Sequence, residues 1–235
     1  MSLNRQILLF VAVLAAVVAF FELTNVDLWA QDHFYDFQTR RWLIDADEPV
    51  LRAVLYTAVK GVAIAVGVAC GAGFALSWTL RRLAPHRRRL LLMALSLILV
   101  PLTVSAVKQT TNVFLPRQIE RYGGRMPYVK VLERYPPGFR SKSRGRGWPA
   151  GHASGGFALM MSYFALRRRG RHLLGLAGAL TLGWAMGLYQ TLNGEHYLSH
   201  TIVTMCAAWT IILIIRKVVG PPDPSPASRP AAAKV

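Results

Sequence analysis

The sequence predicts an all-α protein, a bundle of six transmembrane helices that carries an extracytoplasmic loop or helical cap. Hydrophobic residues make up 53% of its 235 residues and only 17% are charged, whereas about 25% of a typical soluble domain is charged. Six apolar segments approach the twenty residues with which a helix crosses the hydrocarbon layer. None of them alternates polar and apolar residues as membrane strands do, so helices are expected rather than a barrel.

The six predicted spans contain almost no ionisable side chains. The first is expected to remain as an anchor, residues 1–24, because only Arg5 precedes its apolar run and no small-x-small cleavage site precedes Glu22. In the other spans, His152 and His200 are the groups that could be charged near neutral pH. The apolar runs cover residues 6–21 (extending to about 24), 61–80, 90–107, 147–166, 173–194 and 197–215.

Short basic loops orient the predicted bundle. Because Lys and Arg collect in the loops that stay in the cytoplasm, the basic ends of spans two, four and six define the cytoplasmic side. A multi-pass protein of a bacterial inner membrane is expected. This topology also explains the loop clusters behind the net charge of +17, so we expect the bilayer as partner and no nucleic acid. The clusters are Arg81, Arg82 and 87–89, then 167–169 and Arg171, then Arg216 and Lys217.

The segments outside the main bundle differ in composition. Residues 25–50 are predicted to form a periplasmic interfacial segment, an amphipathic helix with Trp29 and Trp42 at the headgroup level, and to clamp the bundle. The bundle itself is assigned to residues 51–216. The tail, 217–235, is rich in Pro and Ala and is expected to be disordered in the cytoplasm.

The second long periplasmic segment, residues 108–148, is a strongly basic loop. Its ten cations are opposed only by Glu120 and Glu133. Positive charge in a translocated loop goes against the usual bias, and arginine matches phosphate geometry, so binding of a polyanion is favoured. The cations are Lys108, Arg117, Arg121, Arg125, Lys130, Arg134, Arg140, Lys142, Arg144 and Arg146.

Four ionisable side chains are expected to converge near the outer ends of the spans. Lys108 closes the third span, and His152 opens the fourth. His196 and His200 open the sixth and share a helix face through their i, i+4 spacing. Ionisable groups at membrane depth are costly and indicate function. The run Pro-Ala-Gly-His at 149–152 adds a helix N-terminus whose free N–H groups can bind an anion.

Three stretches, in this order along the chain, resemble the motifs of the type 2 phosphatidic acid phosphatase (PAP2) superfamily of membrane lipid phosphatases. The family pattern is K-x6-R-P, then P-S-G-H, then S-R-x5-H-x3-D. The counterparts are KQTTNVFLPR at 108–117, PAGH at 149–152 and YQTLNGEHYLSH at 189–200. The likeness spans roughly residues 50–215 and implies a helical bundle of PAP2 type, catalytic over residues 51–216.

The resemblance implies a reaction that passes through a phosphohistidine and uses neither a metal nor a cofactor. His196 corresponds to the nucleophile, and His152 to the general acid that protonates the leaving group. Lys108 corresponds to the lysine that neutralises phosphate oxygens. His200 closes the third motif as a further catalytic candidate. The remaining phosphate-binding positions are Arg117, Ala150, Gly151 and Gln190.

The first two motifs each depart from the family pattern at one position. Leu115 stands where the first motif has arginine. The guanidinium would then come from Arg117, Arg121 or Arg125. Ala150 replaces the serine of the second motif, which leaves the backbone N–H groups as the donors at that position.

The third motif departs at both ends. Tyr189 and Gln190 replace the Ser-Arg pair, so an amide donor takes the place of a charge. His200 replaces the final aspartate. It can orient His196 through a ring nitrogen but cannot stabilise an imidazolium by charge. Glu195, adjacent to His196 on the predicted helix, is expected to point elsewhere.

The expected activity is hydrolysis of a membrane lipid phosphate on the periplasmic side, with undecaprenyl diphosphate, phosphatidylglycerophosphate, phosphatidic acid or a lipid A phosphate as substrate. A phosphotransferase that passes the phosphoryl group to another lipid is a variant. A zinc hydrolase built on His152, His196 and His200 is a less favoured alternative. A non-enzymatic lipid-binding protein on a degenerate PAP2 scaffold is another. Cys70 and Cys206 lie inside apolar runs, which excludes a thiolate zinc site.

Overall fold

The computed structural model describes residues 1–141, 143–166 and 170–221, and this part of the chain is mostly helical with almost no strand. A π-helical turn, Arg52–Ala58, joins α3 to α4, and a two-stranded antiparallel hairpin, β1 and β2, lies near the N-terminus. The elements are α1 Leu3–Leu23, α2 Val26–Asp32, β1 Tyr35–Asp36, β2 Arg41–Trp42, α3 Pro49–Leu51, α4 Val59–Leu76, α5 Arg87–Thr110, α6 Gly151–Ala158, α7 Ser162–Ala165, α8 Arg171–Leu192 and α9 Leu198–Val219.

The long helices have the length and composition of membrane spans. Among the described residues, five helical runs qualify, and they correspond to the first, second, third, fifth and sixth predicted spans. Each exceeds the roughly twenty residues that a span requires. The chain thus has the helices of a multi-pass membrane protein. The runs are Leu3–Leu23, Pro49–Leu76, Ala84–Thr110, Arg171–Leu192 and Leu198–Val219.

The fourth predicted span, residues 147–166, forms a shorter helical run that a 3₁₀ turn interrupts. It consists of α6, the 3₁₀ turn Leu159–Met161 and α7. Phe157 and Met161 are fully buried in it, and the run packs against α5, α8 and α9. Its apolar composition therefore reflects burial inside the protein. The prediction of six equivalent spans is not confirmed.

Small residues bring this interior helix close to α8. A Cβ atom added at Gly156 would lie 2.6 Å from the backbone of Gly183, and one at Gly183 would lie 2.3 Å from the Phe157 ring. Either contact is too close for a methyl group, so α6 and α8 can approach this closely only as glycine-bearing helices. This close packing helps to set the position of the N-terminus of α6 relative to α8.

Residues 25–50 do not form the single amphipathic helix that was predicted. The helix ends at Asp32, the chain then turns through β1 and β2, and α3 begins only at Pro49. The Tyr35 and Trp42 rings pack together and against Tyr122, with centroid separations of 4.8–5.2 Å. Aromatic residues of both loops thus form a small cluster in place of a long helix.

The basic loop also lacks a helical cap. In its described part, only the 3₁₀ turns Pro116–Gln118 and Glu120–Tyr122 are helical. Several of its cations bind protein groups. Arg121 pairs with Asp32, Lys130 donates from Nζ to the Glu22 carbonyl, and Arg144 donates to the Thr110 and Thr111 carbonyls. These cations hold the loop to the rest of the protein, which the sequence did not indicate.

Three predicted features lie wholly or partly outside the described residues: Lys142 of the basic loop, 167–169 of the second basic cluster, and residues 222–235 of the tail. The described part of the tail differs from its predicted boundary, because α9 continues to Val219.

Candidate active site

A tight hairpin between α8 and α9 carries the histidine pair. The backbone N–H groups of Glu195 and His196 both donate to the Gln190 carbonyl, and Gly194 turns the chain with a φ of +75°. His200 lies one turn into α9. The His196 and His200 Nδ1 atoms are 3.2 Å apart, and each side chain is only 2% exposed. One ring must therefore donate to the other through Nδ1.

The N-terminus of α6 brings His152 to the same place. The His152 ring centroid lies 5.9 Å from that of His196. The Ala150 N–H donates to the His200 carbonyl, and its carbonyl accepts from the Thr204 hydroxyl. These bonds tie the start of α6 to the first turns of α9, so the predicted convergence of the three histidines is present.

Lys108 approaches the first residue of α6 from the end of α5. A Cβ atom built on Gly151 would lie 3.9 Å from both Cδ and Nζ of Lys108. The ammonium group therefore lies beside the N-terminus of α6, where unpaired N–H groups carry partial positive charge. This combination of a cation and a helix N-terminus favours an anion.

Arg117 and Glu195 form an ion pair beside the histidines. Their Nη1 and Oε1 atoms are 2.7 Å apart, and the Arg117 N–H donates to the Gly194 carbonyl. The prediction that Glu195 points away was wrong, because the helix begins at Leu198 and Glu195 belongs to the preceding turn. Of the three arginines left open by the sequence, Arg117 is the one that lies beside the histidines, whereas Arg121 pairs with Asp32.

Two cavities of opposite character meet at this site. A polar cavity of about 240 Å³ is lined by Arg52, Arg117, Gln190 and Glu195, among others. An apolar cavity of about 680 Å³ runs between α4, α5 and α6. His152 and Tyr56 line both cavities. The site thus joins a polar chamber to an apolar groove.

The apolar cavity opens onto an exposed apolar surface of the helices. Its wall includes Ile64, Val68 and Ile98, which are exposed in the isolated chain. Lys108 and Gly151 line its inner end, next to His152. A ligand lying in this groove would have its apolar part among the spans and its polar end at the cations.

The electrostatic environment keeps His196 neutral. Burial, together with the neighbouring His200, Lys108 and His152 side chains, holds the pKa of His196 well below its usual value. A neutral imidazole has a free nitrogen lone pair, which is the form required of a nucleophile or a hydrogen-bond acceptor. At neutral pH the site therefore offers an unprotonated histidine next to a cation.

A scan against protein-family models matches the PAP2 superfamily over residues 89–222, which is more than half of the chain. The chain belongs to the PAP2 superfamily. Members of this superfamily are helical proteins and generally phosphatases acting on phosphate esters, which agrees with the predicted resemblance. Searches of curated proteins and of solved structures found no match.

Several of the positions that the PAP2 motifs single out line the two cavities: Arg117, His152 and Gln190 the polar one, and Lys108, Gly151 and His152 the apolar one. Gln190 is 6% exposed, faces the polar cavity and accepts from the Asn193 amide. Three further residues, which were not predicted from the sequence, line the cavities from the helical run that contains α4: Arg52, Tyr56 and Lys60. Their position just before the second apolar run was the available signal, since polar groups at a span end share one depth.

The zinc alternative receives no geometric support from the described residues. Within residues 1–141, 143–166 and 170–221, no three His, Cys, Asp or Glu side chains are grouped as metal ligands. The His196 and His200 rings face each other through Nδ1. A zinc ion would have to replace that hydrogen bond, and a chelator experiment tests this directly.

Proposed function

We propose that this PAP2 protein is a membrane lipid phosphatase that removes a phosphate or diphosphate headgroup through a phosphohistidine on His196. The observation that carries the proposal is the meeting of the polar cavity and the apolar groove at His152 and Tyr56. A substrate with a charged head and a hydrocarbon chain matches both spaces. A water-soluble phosphate ester would leave the groove empty.

The hydrogen bond between the two buried histidines supports His196 as the nucleophile. The proposal assigns Nδ1–H of His196 as the donor to Nδ1 of His200, so that Nε2 of His196 is the nitrogen that attacks phosphorus. His196 lines neither cavity, so the proposal requires the neighbouring His152 side chain to move when phosphate binds. Attack forms the N–P bond and breaks the P–O bond to the lipid.

The groups around this point match the remaining steps. Burial and the charge of Lys108 lower the pKa of His152, so the proposal requires the negative charge of bound phosphate to bring a proton onto it. His152 then gives that proton to the departing lipid oxygen, and afterwards takes a proton from the water that hydrolyses the phosphohistidine. Lys108 and the N–H groups at Gly151 neutralise the equatorial oxygens in both steps. The polar cavity supplies the path by which water enters and phosphate leaves.

The candidate substrates are those with a terminal phosphate on a membrane lipid: undecaprenyl diphosphate, phosphatidylglycerophosphate, phosphatidic acid and lipid A phosphate. We place the site on the periplasmic side of a bacterial inner membrane, following the basic cytoplasmic loops. In this proposal residues 25–50 and 108–148 are periplasmic, and residues 51–216 form the catalytic bundle.

Phosphate release by the purified protein tests the proposal. The assay covers the four lipid classes and a water-soluble phosphate ester, each with and without chelator. Release from a lipid phosphate, insensitive to chelator and inhibited by vanadate, is expected. Loss of activity with chelator would favour the zinc alternative. Binding without release would favour a non-enzymatic protein, and appearance of a phosphorylated second lipid would favour a phosphotransferase.

Replacing Gly151 with alanine should lower kcat/KM about tenfold or more without reducing the thermal unfolding temperature. The new methyl group would meet only Lys108, at 3.9 Å, which is an ordinary contact. It would nevertheless occupy the space between the ammonium group and the start of α6, where phosphate is expected. Gly178→Ala, on α8 with nothing within 4 Å of the new Cβ, is the matched control. Equal kinetics in both variants would contradict the phosphate position.

Replacing Arg117 with alanine should reduce kcat/KM by about 10- to 100-fold, the range of a charged hydrogen bond. Arg117 is bound to Glu195 at one nitrogen and can direct its other donors at phosphate. Steady-state kinetics on a lipid phosphate provide the measurement. The control is Arg121→Ala, which breaks an ion pair with Asp32. If Arg117→Ala left kcat/KM unchanged and Arg121→Ala abolished activity, the phosphate-binding role would belong to Arg121 instead of Arg117.

A further inference from the structure

The N-terminal segment, which precedes the PAP2 match at residues 89–222, binds the hairpin that bears the histidine pair. Asp27 of α2 accepts from the backbone N–H of Ser199 at 2.9 Å and from the Ser199 hydroxyl. Asp27 is only 7% exposed. Ser199 directly precedes His200, so the carboxylate holds the first turn of α9 at the point where it supplies the histidine.

The same short helix holds the other end of the hairpin. Gln31, which is fully buried, donates from Nε2 to the Thr191 carbonyl at 2.7 Å, near the end of α8. Asp27 and Gln31 lie four residues apart and therefore on one face of α2. One helix face thus binds both the last turn of α8 and the first turn of α9.

The β-hairpin covers the tip between these two attachments. A Cβ atom on Gly194 would lie 2.4 Å from the Trp42 ring, so the indole rests directly on the turn. The Ile44 N–H donates to the Leu192 carbonyl next to it. Residues 26–44 therefore contact the hairpin at its start, its tip and its end.

We propose that residues 26–44 act as a clip that positions His196 and His200 for phosphoryl transfer, with Asp27 as its principal positioning residue. The inference rests on the proposed function for its kinetic consequence. The clip touches the backbone beside the histidines and none of the proposed reacting atoms. Its effect is to hold the separation and orientation of the two rings, on which attack by His196 depends.

The charge on Asp27 predicts a pH dependence that distinguishes the clip from a purely structural contact. Burial raises the pKa of Asp27 to about 6, against the hydrogen bonds from Ser199 and the attraction of Lys130. The other titratable groups facing it are Glu22, Tyr128, Tyr197 and, across a small shared cavity, His200. The ionised carboxylate is the stronger acceptor at the N-terminus of α9.

The sign of the stability effect follows from the raised pKa. Because the folded protein binds the Asp27 proton more tightly than the unfolded chain, this group's contribution to stability is present at low pH and is lost as pH rises to about 6. Asparagine keeps the shape and can bond both Ser199 groups without a buried charge. Asp27→Asn should therefore be at least as stable as the wild type at pH 7.5.

The test combines kinetics with stability in Asp27→Asn. We expect kcat on a lipid phosphate to fall about tenfold at pH 7.5, KM to stay within twofold, and the unfolding temperature not to fall. The wild-type kcat should decline below about pH 6, as Asp27 gains a proton, and the variant should lack that decline. A merely structural residue would lower stability and leave the pH profile unchanged.

Asp32→Asn is the matched control. Asp32 lies on the same helix, but it accepts from Arg121 and Tyr122 and does not touch the hairpin. It should leave kcat and the pH profile unchanged. Ser199→Ala should lower kcat, and combining it with Asp27→Asn should add little, since both act through one contact. An unchanged kcat in Asp27→Asn, or an equal loss of kcat in Asp32→Asn, would contradict the proposal that residues 26–44 position the histidines.

Hydrogen exchange of residues 193–200 separates this inference from the proposed function. Asp27→Ala, which removes both bonds to Ser199, should increase their exchange, and Asp32→Ala should not, whether or not a substrate is known. If the Asp27 variant exchanges faster but the wild type has no phosphatase activity, the clip is supported and the phosphatase proposal is contradicted. If the wild type is an active phosphatase but the Asp27 variant exchanges no faster, the clip is contradicted and the phosphatase proposal is supported.

Discussion

Replacing His196 with alanine is expected to abolish phosphate release, with a loss of kcat on the order of 10⁴-fold or more, as when a covalent nucleophile is removed. The side chain is buried beside His152 and His200. Rapid quenching of the wild type with radiolabelled lipid phosphate should trap an acid-labile phosphoprotein, and the variant should form none.

His86→Ala provides the control for this experiment. His86 is exposed and lies before α5, far along the chain from the three motifs. It should retain both turnover and labelling. Labelling that persists in His196→Ala would move the nucleophile to another residue. Turnover that persists without labelling would point to direct attack by water.

Replacing His152 with asparagine is expected to slow release from a lipid phosphate by about 10²- to 10⁴-fold, the range for a general acid. His152 lines both cavities at the point where the scissile bond should lie. The loss should depend on the leaving group. An aryl phosphate leaves as a stable anion and needs no proton, so the variant should cleave it within about tenfold of the wild type.

The comparison between the two substrates is the decisive measurement for His152. An equal loss on lipid and aryl phosphates would mean that His152 binds phosphate or maintains the site's shape and does not transfer a proton. His86→Asn makes the same chemical change at an exposed histidine and should affect neither substrate.

The long spans and the convergence of His152, His196 and His200 could be predicted from the sequence. Span ends share a depth in the membrane, so residues distant along the chain were expected to meet there. The i, i+4 spacing then paired two of the histidines. These inferences needed only helical geometry and the order of apolar segments.

The burial of residues 147–166 among the other helices could not be predicted in the same way. Hydropathy does not distinguish a helix that faces lipid from one buried among other helices, because both are apolar on every side. The difference lies in Gly156 and Gly183, whose lack of side chains admits close packing. Such pairing depends on which helices become neighbours.

The orientation of Glu195 and the attachments of Asp27 were also beyond the sequence. Glu195 was assigned to a helix, but the turn at Gly194 removes it from helical geometry and directs it to Arg117. Asp27 meets Ser199 across 172 residues. Contacts of this kind are set by tertiary packing, for which neither residue type nor spacing gives a local signal.

Under the proposed function, the shared wall of the polar cavity and the apolar groove determines which substrate concentration governs the rate. A molecule held by its hydrocarbon chain arrives by diffusion within the plane of the bilayer, so turnover should follow its mole fraction among the surrounding lipids. Adding inert detergent at constant total substrate should then slow the reaction by surface dilution, and raising the bulk volume at constant micelle composition should leave the rate per enzyme unchanged.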